Sequence, residues 1–115
     1  MKSEAALAWW YRVLRAALGE RLPDLTTRQL ALLLHVGLIR PPHTVRGLAG
    51  TLGFSKPAVT RALDRLARLG FVERLRDTQD RRSVLIHLTP GGRSFLAELG
   101  RLAGEAAGLP VAAAG

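Results

Sequence analysis

Apolar residues recur at helical spacing up to Leu69, then switch to a strand-like pattern after Gly70. Ala6, Trp10, Val13, Leu14 and Ala17 form the stripe of a first helix over residues 3–19, with Arg12 and Arg15 outside it and Gly19 as its C-cap. Pro23 and Asp24 end the connection to the next element. Thr26 and Gln29 stand at capping-box spacing, flanked by Leu25 and Leu30 as a hydrophobic staple, so a second helix begins there. It runs through Leu30, Leu32, Leu33 and Leu34 to about Gly37, and its apolar character on nearly all sides makes it central.

Thr44 is placed to cap a short third helix in which Val45, Leu48, Ala49 and Leu52 fall at i, i+3, i+4 and i+7. Gly53 breaks it. Ser55 caps a fourth helix and Pro57 lies in its first turn, where a missing N–H is tolerated. Val59, Ala62, Leu63, Leu66 and Leu69 form the inward stripe up to Gly70, leaving Lys56, Thr60, Arg61, Asp64, Arg65 and Arg68 outside. Two helices joined tightly around Gly53 have the arrangement of a helix-turn-helix over residues 44–70. Ala49 is small where the helices cross, Gly53 suits a positive φ, and Val59 faces the crossing.

Beyond Gly70, residues 71–76 and 83–88 predict two strands around a polar tip, a hairpin over 71–89. Thr89-Pro90 has the N-cap and N1 signature of a last helix over 90–104, with Phe95, Leu96, Leu99 and Leu102 on one face. Residues 105–115 are expected to form a frayed tail. The predicted fold is mainly α with a small β-hairpin (α+β), in the order of a winged helix-turn-helix, as a single domain over 1–115.

Charge gives this frame a partner. The chain carries 17 basic and 9 acidic residues, a net charge of +8, and the stretch from 53 to 93 holds nine cations against four anions. A basic surface of this kind suits a polyanion. A general use of arginine as a solubiliser would look the same in the totals, so placement matters more. The second helix of a helix-turn-helix enters the major groove N-terminus first. Ser55 and Lys56 are then positioned for phosphate, Pro57 and Thr60 for base edges, and Arg61 for a two-pronged contact with guanine. Arg65 and Arg68 lie further along, toward the DNA backbone or Asp64. On the wing, Arg76, Arg81 and Arg82 are candidates for minor-groove or phosphate contact, with Asp80 restraining an arginine. The alternative for the wing is a solvated turn whose charges pair with Glu73, Asp77 and Asp80.

The absence of cysteine removes disulfides, thiol catalysis and cysteine-based zinc sites. Three scattered histidines make no metal or catalytic set, and His35, with no partner near it in sequence, reads as a packing or surface residue. No nucleophile with a base and no cleft-forming carboxylate pair is apparent, so the chain is not expected to be an enzyme or to need a cofactor. The apolar N-terminal stretch is broken by Arg12 and Arg15 short of a membrane span and lacks a cleavage signal, so a cytoplasmic location is expected.

The wing sequence Asp80-Arg81-Arg82, the strand closing in Leu88-Thr89 and the glycines that open the last helix resemble the MarR family of transcriptional regulators. Asp80 and Arg82 match the family's Asp-x-Arg wing, Leu88, Thr89 and Gly92 match its strand end and the start of its next helix, and residues 55–61 resemble its recognition helix. The similarity spans about residues 24–100. The resemblance implies double-stranded DNA as partner and a homodimer built from terminal helices, which are shortened here. Trp9-Trp10-Tyr11 spreads over about 200° of a helix, more than one core readily buries. Trp9, Trp10 and Tyr11, with Phe95, Leu99 and Leu102, are therefore the candidate dimer surface, unless Trp10 lies in the core with the other two half covered. A small-molecule effector is not favoured, because no polar cluster converges. The leading function is a sequence-specific DNA-binding regulator; the alternative is a winged-helix module that docks a protein through its exposed aromatics.

Overall fold

A computed structural model describes residues 2–80 and 82–108. The element order is α1 (Ser3–Gly19), α2 (Thr27–Leu38), α3 (Val45–Leu52), α4 (Lys56–Arg68), β1 (Val72–Arg76), β2 (Val84–Leu88) and α5 (Pro90–Ala107). By contacts the chain divides into two compact units, Leu25–Leu96 and a second formed by Met1–Asp24 with Ala97–Gly115.

In the larger unit the helix ends form where side-chain chemistry stops the backbone. Thr26 and Gln29 close a reciprocal capping box, the Gln29 N–H donating to Thr26 Oγ1 (3.1 Å) and the Thr26 N–H to Gln29 Oε1 (3.0 Å). Thr44 accepts from the Gly47 N–H and Ser55 from the Ala58 N–H, so both helices of the helix-turn-helix start on a hydroxyl cap. Gly53 ends α3 in the left-handed region at φ 76°, as the turn requires. Gly70, at φ 80°, ends α4 in a Schellman motif in which Gly70 N–H donates to Ala67 and Phe71 N–H to Leu66.

Burial follows the stripes. Leu32 and Leu33 of α2, Leu48 of α3, Val59, Leu63 and Leu66 of α4 and Ile86 of β2 are almost wholly inaccessible and make one core. β1 and β2 pair antiparallel with Val72 opposite Leu88 and Arg76 opposite Val84. A further rung was not foreseen: Thr44 bridges Leu85, and the Ile86 N–H donates to the His43 carbonyl at 2.9 Å. The segment before α3 thus extends the hairpin and fixes the wing to the start of the helix-turn-helix. His43 is buried, its Nε2 donates to the Ile39 carbonyl (3.0 Å), and its ring meets His35 edge-on at 5.2 Å, so His35 has the neighbour that sequence distance hid.

Thr89 joins the wing to α5, donating its N–H to the Phe71 carbonyl and accepting at Oγ1 from the Gly92 N–H. Here the backbones approach so closely that a Cβ on Gly92 would stand 2.1 Å from the Phe71 carbonyl oxygen. Glycine at 92 is a requirement of space.

The smaller unit corrects three expectations. Val13 and Arg12 are the buried residues of α1, whereas Trp10 and Leu14 are exposed, so the buried face is rotated from the predicted stripe. Arg12 tolerates burial because its Nε donates to the Ala106 carbonyl at 3.3 Å. The left-handed residue ending α1 is Arg21 at φ 57° rather than Gly19, with Leu22 N–H donating to Ala17 in a second Schellman motif. The tail expected from residue 105 is helical through Ala107, and residues 109–115 lie outside the described part.

Candidate nucleic-acid interface

The inward face of α4 is fully committed to the core through Ala58, Val59, Ala62, Leu63 and Leu66. Its outer face must therefore be polar, and Ser55, Lys56, Pro57, Thr60 and Arg61 are all exposed along its first two turns. The cap and the position of these residues leave the helix N-terminus and its partial positive charge open to solvent. Arg65 is half-buried and Arg76 exposed, and both interact within the chain. Arg61 borders a cleft of about 420 Å³ with Thr26, Arg28 and Gln29 of the α2 start, where the Arg28 guanidinium lies 5.5 Å from the Phe54 ring centre.

The wing is held by its own acids. Asp80 Oδ1 accepts from the Arg82 backbone N–H (3.0 Å) and Oδ2 from the Ser83 hydroxyl (3.1 Å), while Asp77 Oδ1 accepts from the Gln79 N–H (2.9 Å). Asp80 therefore shapes the turn around Arg82. The Arg82 side chain is exposed; Arg81 lies outside the described residues. Asp64 pairs with Arg74 of β1 at 2.7 Å, not with Arg68 one turn on.

A cleft of about 470 Å³ lies where the α3 start, the α4 start and the wing meet, bordered by Thr44, Arg46, Lys56, Asp80, Arg82 and Ser83. Lys56 and Arg82 were expected in the interface. Arg46 was not, although its place one residue into a capped helix beside the turn was visible in the sequence.

In the smaller unit, Trp9 is half-buried and its indole N–H donates to the Ala103 carbonyl at 3.0 Å. Trp10 and Tyr11 are exposed, Trp10 stacking on Trp9 and Tyr11 lying under Arg15. Ala6, Leu7, Trp9, Trp10, Ala103 and Gly104 border an open apolar groove of about 900 Å³. Two of the expected partner-facing residues do not face outward: Phe95 is buried and stacks on Phe71 at 4.7 Å, and Leu102 is buried. Leu99 is half-buried. No described helix is long and apolar enough to cross a membrane, and among the described residues no three His, Asp or Glu side chains gather as a metal site.

A capped helix pair turning at Gly53, followed by a basic two-stranded hairpin docked on its first helix, defines a winged helix-turn-helix. The MarR family profile matches residues 25–84, and the chain belongs to that family. It is 36% identical over 85 residues to the multiple antibiotic resistance protein MarR of Escherichia coli, covering 71% of this chain and 56% of that protein. The Salmonella typhimurium MarR is 39% identical over 75 residues, and 49% of it is covered. The chain thus spans about half the length of these relatives. Among solved structures, a mutant E. coli MarR complexed with operator DNA aligns with TM-score 0.68 and 34% identity, covering 82% of this chain and 65% of that one. The Staphylococcus aureus MepR–DNA complex aligns with TM-score 0.67 and 26% identity, covering 71% of this chain and 67% of that one.

Proposed function

We propose that the chain is a double-stranded DNA-binding transcription regulator that presents α4 to the major groove and its wing to the minor groove or backbone. The observation that carries this is the outer face of α4: Lys56, Thr60 and Arg61 stand exposed over an N-terminus whose inner side is locked into the core. The E. coli MarR and MepR structures bound to DNA, on the same fold, support it. Ser55, Lys56 and Arg82 address phosphate or the minor groove; Pro57, Thr60 and Arg61 address bases. Arg65, Arg76 and Arg81 extend the basic surface, and Asp80 shapes it.

The whole chain acts as one functional domain and as a homodimer, with Trp9, Trp10 and Tyr11 at the partner surface beside Leu99. It works in the cytoplasm and carries out no reaction of its own. The test is the salt dependence of binding to DNA duplexes selected from a random pool. If about five phosphates are neutralised per protomer, log K falls against log salt with a slope of roughly −4 to −5. A flat response on every duplex overturns the reading.

A further inference from the structure

We propose that Arg46, Lys56 and Arg82 together grip a single DNA backbone phosphate, and that Arg46 is the residue that sets how deeply the start of α4 sits in the groove. The inference rests on the DNA-binding function proposed for the chain and adds to it Arg46 and the convergence of the three cations on one phosphate.

Three elements bring these cations to one place. Arg46 is the second residue of α3, Lys56 the first of α4, and Arg82 closes the wing turn, yet all three border the same cleft of about 470 Å³. All three are exposed, and among the described residues none has a side-chain hydrogen bond or ion pair. Asp80 also borders the cleft, its two oxygens accepting from the Arg82 N–H and the Ser83 hydroxyl. Three long cations around a single carboxylate leave the cleft net positive, and a tetrahedral anion with several acceptor oxygens relieves their remaining repulsion. Ser83 and Thr44, on the same rim, fix the cleft's geometry: Thr44 caps α3 and bridges the wing at Leu85. The bridge makes the distance between Arg46 and Arg82 a property of the folded domain rather than of mobile side chains alone. A phosphate held there is held from both sides of the α4 N-terminus, so its position fixes the register of Thr60 and Arg61 on the bases.

The experiment uses the full chain with duplexes selected from a random pool, synthesised with one methylphosphonate at a time in place of a phosphate. Arg46→Ala is expected to weaken binding about tenfold and to reduce the salt slope by about 1, with Arg46→Lys recovering most of the affinity and the thermal unfolding curve unchanged. One methylphosphonate per half-site should cost the wild type more than Arg46→Ala does, because it also removes the Lys56 and Arg82 contacts, and should cost Arg46→Ala less than it costs the wild type. If Arg46→Ala binds as the wild type does, or its loss persists undiminished on every methylphosphonate duplex, the inference fails while DNA binding stands. Competition by inorganic phosphate at constant ionic strength that disappears in Arg46→Ala, with no methylphosphonate effect, would assign the cleft to a free anion and overturn the DNA assignment. Binding without salt dependence on any duplex removes this inference together with the function it rests on.

Discussion

Arg74 on β1 donates to Asp64 on α4 across 2.7 Å, so the wing's first strand is tied to the middle of the helix that precedes it. The two side chains are 35% and 47% exposed, which limits what the pair contributes to stability. Solvent-exposed ion pairs are worth about 0–1 kcal/mol. Asp64→Asn should lower the unfolding free energy in urea by no more than about 1 kcal/mol, and the difference should vanish near 1 M salt, where the screening length is about 3 Å. A larger, salt-insensitive loss would show that the tie anchors the wing by more than charge.

Two glycines should fail differently. At Gly53 nothing lies within 4 Å of an added Cβ, so Gly53→Ala meets only the strain of φ 76°, about 1 kcal/mol. At Gly92 the added Cβ collides with the Phe71 carbonyl at 2.1 Å, a backbone atom that cannot step aside. Gly92→Ala should cost about 3 kcal/mol or more. Chemical denaturation of the two variants should rank Gly92→Ala as the more damaging.

Arg61 and Arg82 should divide specificity from affinity. Arg61→Ala is expected to relax the base preference at one position of each half-site, at a cost of about 1–3 kcal/mol on the preferred duplex. Arg82→Ala should weaken binding to preferred and random duplexes alike. Competition titrations on both kinds of duplex measure this, and equal losses for the two variants would erase the division.

Trp10, 43% exposed beside the apolar groove, should matter to assembly more than to folding. Trp10→Glu is expected to sediment as a monomer at concentrations where the wild type sediments as a dimer, with helix content retained. A wild type that stays monomeric at every concentration would remove the dimer from the proposal.

Glu98 should titrate below the usual glutamate range, because the Arg101 guanidinium donates to its carboxylate. Arg101 also reaches Glu105 at 2.9 Å and Glu20 at 3.4 Å, and its own proton is held more tightly than usual. A carboxyl depressed in the folded state contributes stability that is complete above its ordinary pKa and is lost as pH falls through the folded value. Acidification below the usual carboxylate range should therefore release the cluster. Carboxyl NMR titration of Arg101→Gln should return Glu98 upward toward its ordinary range, while a Glu98 unmoved by the change would contradict the pairing.

The helix starts were legible because their chemistry is local: Thr26, Thr44 and Ser55 each cap within three residues of themselves. The glycine turn at Gly53 and the strand pair after Gly70 were legible for the same reason. Features set by distant partners stayed hidden. Arg12 is buried where its Nε–H donates a hydrogen bond to the Ala106 carbonyl, 94 residues away, and a hydropathy stripe carries no sign of that. Asp64 had a basic residue one helical turn away and chose one on a strand instead. The His43–Thr44 rung is too short to show a period of two, so the third edge of the wing left no pattern. Arg46 reaches its cleft only because that rung brings the wing to it.

The acids of the wing turn carry a consequence for binding kinetics. Asp77 and Asp80 order the loop around Arg82 before any partner arrives, so much of the conformational entropy of the tip is lost in folding and not at encounter. A tip shaped in advance should associate quickly and at a rate set by charge. Loosening it by Asp80→Ala should slow productive capture of DNA even though losing that carboxylate raises the net positive charge by one.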